Sequence, residues 1–168
     1  IYNPSGLDPI AVLQYKEDTG SPSVRGYPEA DALAPDEVLY LDADIIIPAA
    51  LETQIRADNV DRIRPRLLIE AANGPTTPDA NDALLDRGVF IVPDIYANAG
   101  GVIVSYLEWV QNLQEFRWME ETINQQLRTI MEESFHEINE IAENRKTDMR
   151  TASYYLGVGR VAEAFKVR

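Results

Sequence analysis

With 168 residues, 45% of them apolar and 8% aromatic, the chain carries enough apolar material for one ordinary core and too much for a disordered segment. Its net charge of −13 argues against nucleic acid or an anionic membrane as partner, because both require a basic footprint. No run approaches the ~20 apolar residues of a membrane span, and the absence of cysteine excludes disulfides and thiolate metal sites while fitting a cytoplasmic location.

Taken in chain order, residues 7–16 bear Ile10, Val12 and Leu13 at helical spacing, and the cluster Thr19-Gly20-Ser21-Pro22-Ser23 breaks that helix. Val24–Pro28 is expected to be a short edge strand, since Pro28 cannot donate to a central ladder. A brief helical turn is expected at Ala34–Glu37. Asp44–Pro48 predicts a buried strand, β-branched and apolar on both faces as parallel sheets require. Glu52–Ile63 predicts a modest helix, and Leu67–Ala71 a second buried strand. Thr77 is a candidate N-cap for a helix through Leu85, with Pro78 at its first position and Gly88 just past its end. Val89–Pro93 is the third strand.

Beyond Gly101 the pattern becomes helical. Val102, Tyr106, Trp109 and Leu113 form one apolar stripe. From Met119, the set Ile123, Leu127, Ile130, Met131, Ser134, Ile138 and Ile141 holds one face for about five turns. Asp148 is placed to cap a last helix whose inner face is Ala152, Leu156, Gly159, Ala162 and Phe165.

Small and polar residues follow each strand: Pro48-Ala49-Ala50, Ala72-Asn73-Gly74-Pro75-Thr76 and Asn98-Ala99-Gly100-Gly101. They recur roughly every 25 residues, which is the room a parallel strand and its crossover need. In open parallel sheets, ligands bind beyond the carboxyl ends of the strands, so these turns predict one cofactor or substrate cleft. Asn73 and Asn98 each offer a donor and an acceptor for a neutral polar ligand; the alternative is that they cap their own turns. Gly100-Gly101 opens a helix whose free N–H groups favour an anion. Val102 and Ser105 share a face of its first turn, unless the Ser105 hydroxyl bonds back to its own helix.

The stretches Glu70–Pro78 (EAANGPTTP) and Asn98–Trp109 (NAGGVIVSYLEW) resemble the glutamate dehydrogenase family. Pro48–Glu52, Asp148–Ala152 and Arg160–Ala164 match in the same order. The resemblance runs through nearly the whole chain. It implies an α/β fold, the second half of a Rossmann-like doubly wound parallel sheet followed by C-terminal helices. Residues 1–101 would be the latter half of a nicotinamide-dinucleotide domain, and residues 102–168 a helical segment packing on it. It further implies that the family's N-terminal substrate domain, with its catalytic lysine and aspartate, and the glycine-rich fingerprint are absent here. No catalytic residue is therefore expected in the chain, and alone it should be inactive.

By the same resemblance, Ala49, Ala50, Asn73 and Asn98 line the cofactor, either NAD or NADP, with Asn73 near the nicotinamide ribose. The residue that reads the ribose 2′ position would lie before Ile1. Asn98, Gly101, Val102 and Ser105 would meet the substrate, with the Ser105 hydroxyl on the side-chain carboxylate of glutamate. The partners implied are glutamate, 2-oxoglutarate and ammonium, and a homo-hexamer in the intact enzyme. Ser105 and the Asn73 turn set the chain apart from the leucine, phenylalanine and valine enzymes of the family, which need an apolar pocket. Ala71, where many members have glycine, and Ile103, where threonine is commoner, depart from the pattern. A non-catalytic binding or oligomerisation module of the same fold is the alternative.

Other features carry less. Leu156–Ala162 contains a G-x-G-x-x-A pattern, but with only six residues after Ala162 it cannot open a strand–helix–strand unit. Helical spacing there favours two glycines that let helices pack closely. His136 falls on a charged helix and is expected at the surface. Glu70, Asp94 and Glu108 form no recognisable acid–base pair and are expected to hydrogen-bond turns or helices. No metal-ligand spacing occurs. Only Lys16, Lys146 and Lys166 are lysines, the other twelve basic residues being arginine. That acid-rich, lysine-poor surface points to salt adaptation, the alternative being an ordinary acidic protein.

Overall fold

Hydrogen-bond supply decides which of these segments become regular. In the computed structural model, which describes residues 1–166, the chain divides into two units, Ile1–Asp42 and one that begins at Ala43.

In the first unit, helix α1 (Pro9–Thr19) starts where the Asp8 side chain accepts the Ile10 N–H at 2.9 Å and stops at Gly20, whose φ is 63°. No residue of α1 is buried. Tyr2 and Asp31 form an antiparallel bridge, and the rings of Tyr15 and Tyr27 meet edge-on at 5.6 Å. The strand expected at Val24–Pro28 is not formed. Gly26 takes φ 95°, and the bonds Tyr27 N–H to Val24 O and Ala30 N–H to Tyr27 O curl the segment, which buries Tyr27. The helical turn expected at Ala34–Glu37 falls slightly later, as a 3-10 turn at Glu37–Tyr40.

The second unit holds β1 (Ile45–Ile46), β2 (Leu67–Ile69) and β3 (Phe90–Val92), parallel and in chain order. Ile46, Leu68 and Ile91 are paired in register and form one buried row. The expectation of apolar cover on both faces is corrected here: Ile45, Ile47 and Phe90 remain 52%, 54% and 46% exposed. Alternate residues point to opposite faces, and the described residues cover only one of them fully.

The helix expected over Glu52–Ile63 is also corrected. The backbone there bonds sideways instead of along itself. Thr53 N–H goes to Gly74 O, Gln54 and Ile55 N–H to Pro75 O, and Thr77 N–H returns to Ile55 O. Asn59 completes the loop by donating to Gln54 O and accepting from Arg56 N–H, leaving only a 3-10 turn at Val60–Arg62. The β2–β3 crossover does contain its helix, α2 (Pro78–Asp86), which buries Ala80, Asn81 and Leu84. Thr77 occupies the N-cap position without a side-chain capping bond, so Pro78 does more than the hydroxyl to start this helix.

Four helices follow: α3 (Asp94–Ala97), α4 (Gly100–Gln114), α5 (Glu120–Arg145) and α6 (Met149–Lys166). Ile138 of α5 with Met149 and Ala152 of α6 form a core cluster, flanked by Tyr96, Phe135, Ile141, Ala142 and Leu156. The inner face expected for α6 runs out there, Ala162 and Phe165 being exposed. Leu156–Ala162 is plain helix, and a Cβ on Gly157 or Gly159 would meet nothing within 4 Å, so no close helix contact among the described residues explains those glycines. The α4 stripe Val102, Tyr106, Trp109 and Leu113 is exposed; only Leu107 of that helix is buried. Val167 and Arg168, the end of the segment expected at 102–168, lie outside the described residues.

Candidate functional site

Because the three strands are parallel and in register, the turns that follow them leave the same edge of the sheet. They are joined by hydrogen bonds. Ala72 N–H donates to Pro48 O at 2.9 Å, which ties the second turn to the first. Gly74 N–H donates to Asp94 Oδ2 at 2.8 Å, and Asn98 Nδ2 donates to Asn73 Oδ1 at 2.7 Å, which ties the second to the third. The two asparagines singled out from sequence thus touch each other. Among the described residues this contact leaves the Asn73 Nδ2 donor and the Asn98 Oδ1 acceptor without a hydrogen bond of their own, chemistry suited to a ribose hydroxyl or a carboxamide. Ala49 and Ala50, just past β1, are exposed.

Beneath this pair lies an ionic cluster. Glu70 directly follows β2 and is fully buried; Asp94 opens α3; Arg150 sits in the first turn of α6. Arg150 reaches Glu70 Oε2 at 2.5 Å, Asp94 Oδ1 at 2.9 Å and, through Nε, Asn81 Oδ1 at 3.3 Å. Glu70 Oε2 also accepts the Asp94 N–H at 3.0 Å. Burial by itself would lower the Arg150 pKa, but the hydrogen bonds and charges of Glu70 and Asp94 outweigh it and hold the guanidinium above its ordinary value. A buried carboxylate without such a partner would be costly. Among the described residues Glu70 Oε1 has no hydrogen-bond partner.

The expectation that Glu70 and Asp94 hydrogen-bond turns therefore holds, but Arg150 as their common partner was not legible. It lies 80 residues from one and 56 from the other. The available hint was an acidic residue at the end of an apolar strand, a position that demands a cation.

The remaining candidates stand at the head of α4. Gly101 has no positive φ, and a Cβ there would meet nothing within 4 Å. Neither backbone conformation nor packing among the described residues calls for glycine, which leaves open space beside the turn. Val102 and Ser105 are exposed. The Ser105 hydroxyl makes no hydrogen bond among the described residues, whereas Ser153 does bond back to Met149 O at 2.7 Å. Ser105 follows Asn98 by about two helical turns and no hydrogen bond joins them. Glu108 and His136 are exposed. Among the described residues no group of three or more His, Asp or Glu could hold a metal ion, and no helix is long and apolar enough to cross a membrane.

The unit is an open parallel α/β sheet with small, amide-bearing turns along its carboxyl edge, the class of fold in which ligands are generally bound beyond the strand ends. A family model for glutamate/leucine/phenylalanine/valine dehydrogenases matches residues 1–168. The chain belongs to that family. It is 45% identical over 168 residues to an NAD-specific glutamate dehydrogenase of Staphylococcus aureus, covering 100% of this chain and 40% of the relative. It is 46% identical over 168 residues to NADP-specific glutamate dehydrogenase A1 of Halobacterium salinarum, covering 99% and 40%. In structure it is similar to the hetero-hexameric glutamate dehydrogenase of Thermus thermophilus in its Leu-bound form, with a TM-score of 0.87 and 34% identity over 100% of this chain and 39% of that one. The chain spans about two fifths of the length of the curated relatives it matches. The fold is accordingly α/β and Rossmann-like, a parallel sheet followed by helices.

Proposed function

We propose that the chain is the C-terminal cofactor-domain portion of a glutamate dehydrogenase. In that reaction L-glutamate and water give 2-oxoglutarate and ammonium, and NAD or NADP accepts the hydride with release of a proton. Residues 1–101 contribute the latter half of the dinucleotide domain and residues 102–168 the helices that follow it. The observation that carries this reading is the Asn73–Asn98 contact at the carboxyl edge of the sheet, in a chain matched along its whole length by glutamate dehydrogenases.

The bound nicotinamide would supply the hydride acceptor. The chain's own residues bind and orient. Asn73 Nδ2 and Asn98 Oδ1 address the ribose and the carboxamide, and Ala49 and Ala50 leave room along the dinucleotide. The open space at Gly101 and the exposed Val102 admit the substrate. The free Ser105 hydroxyl donates to the side-chain carboxylate of glutamate. The 168 residues alone do not turn over glutamate, and the intact enzyme works in the cytoplasm as a hexamer.

The test is glutamate-dependent reduction of NAD and NADP by the protein that contains this chain. Ser105→Ala should raise the KM for glutamate about tenfold, the equilibrium worth of one hydrogen bond to a charged group. Its affinity for the dinucleotide should stay unchanged. No reduction of either cofactor with glutamate, or a preference for leucine or valine, defeats the assignment.

A further inference from the structure

One residue holds both asparagine turns, and it is neither asparagine. Through its side chain, Asp94 accepts the N–H of Gly74, the residue next to Asn73, at 2.8 Å. Through its main-chain carbonyl it accepts the N–H of Asn98 at 3.1 Å. Its own N–H is held by the buried Glu70 at 3.0 Å, and its second carboxylate oxygen by Arg150 at 2.9 Å and by Ile95 N–H at 2.9 Å. The 2.7 Å contact between Asn73 and Asn98 thus spans two loops whose separation is set one layer below.

We propose that Asp94, clamped by Arg150, is a positioning residue that fixes the Asn73–Asn98 pair at the spacing needed to bind nicotinamide dinucleotide, an inference that rests on the cofactor reading given above. The clamp requires an arginine. A planar fork can meet two carboxylates and the Asn81 oxygen at once, whereas a lysine ammonium is a point charge on a flexible stem. Arg150 comes from α6, so the head of the last long helix is wired through Asp94 to both asparagine turns.

The test compares Asp94→Asn and Arg150→Lys in the protein that contains this chain, using the Kd for NADH or NADPH, whichever the unsubstituted protein binds more tightly, read by nucleotide fluorescence. An asparagine at 94 cannot accept from Gly74 and Arg150 together. A lysine at 150 keeps the charge that Glu70 needs but loses the fork. Both variants should unfold cooperatively and bind the nucleotide about tenfold more weakly, with a smaller change in the KM for glutamate at saturating cofactor. If the cluster served only to neutralise Glu70, Arg150→Lys would restore the unsubstituted Kd, and that result overturns the inference. So does a folded Asp94→Asn protein whose Kd stays within about twofold of the unsubstituted one. Should both single variants fail to fold, the Glu70→Gln, Arg150→Met double variant removes the fully buried carboxylate together with its cation and leaves Asp94 unclamped; a Kd about tenfold weaker supports the inference and one within about twofold of the unsubstituted protein overturns it. An unsubstituted protein that binds neither nucleotide overturns the cofactor reading and this inference together. Binding that is normal without glutamate turnover overturns the substrate assignment alone.

Discussion

Asp148 shows how much one capping side chain can do. Its Oδ1 accepts the Thr151 N–H at 3.0 Å and its Oδ2 the Thr151 hydroxyl at 2.6 Å, which satisfies a free donor at the head of α6 and sets the register that delivers Arg150 to Glu70. Burial pushes its pKa up, but the Thr151 hydroxyl and the backbone N–H groups outweigh that and hold it below the ordinary 3.8. A carboxyl with a depressed folded pKa contributes stability that is fully present above its unfolded pKa and is lost as the pH falls through the folded one. Asp148→Ala should therefore cost about 1 kcal/mol at neutral pH. The gap between the two proteins should begin to close as the pH falls below about 4, and urea midpoints across a pH series measure it. A gap that stays constant to the lowest accessible pH would count against the cap. Asp148 could be read from its place before an apolar run. Arg150, two positions on, could not, because its partners are set by sheet topology.

At the level of elements, local rules succeed where a segment's hydrogen bonds are its own. Helix α1 stops at a glycine with φ 63° and α2 is followed by Gly88 with φ 77°, as the sequence indicates. The Glu52–Ile63 segment fails the same test because its donors are taken by Gly74 and Pro75 on the neighbouring turn. Helix α4 ends unfavourably: Glu115 takes the left-handed conformation with φ 51° at its C-terminus. A side chain with a Cβ is strained there, and a negative charge opposes the helix dipole. Both effects have one sign, so Glu115→Gly should stabilise the protein by about 1 kcal/mol, seen as a higher thermal midpoint. An unchanged or lower midpoint would show that the α4 terminus does not limit unfolding. The α4 stripe was legible as periodicity, yet Val102, Tyr106, Trp109 and Leu113 are exposed. A period shows which residues share a face, not whether anything covers it.

For the whole molecule the decisive quantity is the charge of −13. The exposed ion pairs Arg56–Asp58, Arg66–Asp44, Arg128–Glu132 and Arg160–Glu137 recover little, since pairs in water contribute about 0–1 kcal/mol. The self-repulsion that remains acts over a screening length of about 30 Å at 0.01 M salt and about 3 Å at 1 M. Raising KCl across that range should therefore lift the thermal midpoint by roughly 5 °C. A midpoint that falls or does not move would remove the argument for salt adaptation.

The sequence by itself determined the parallel α/β class, the three turns at strand ends and the start of α6. Each of these depends on contacts within a few residues or on a repeated period. Only the tertiary structure decided that the asparagines touch, that Glu52–Ile63 is bonded sideways and that Arg150 joins Glu70 to Asp94. Those outcomes depend on which distant residues the register brings to one edge. A buried carboxylate announces that it needs a cation, but only the packing of α6 against β3 says which one arrives.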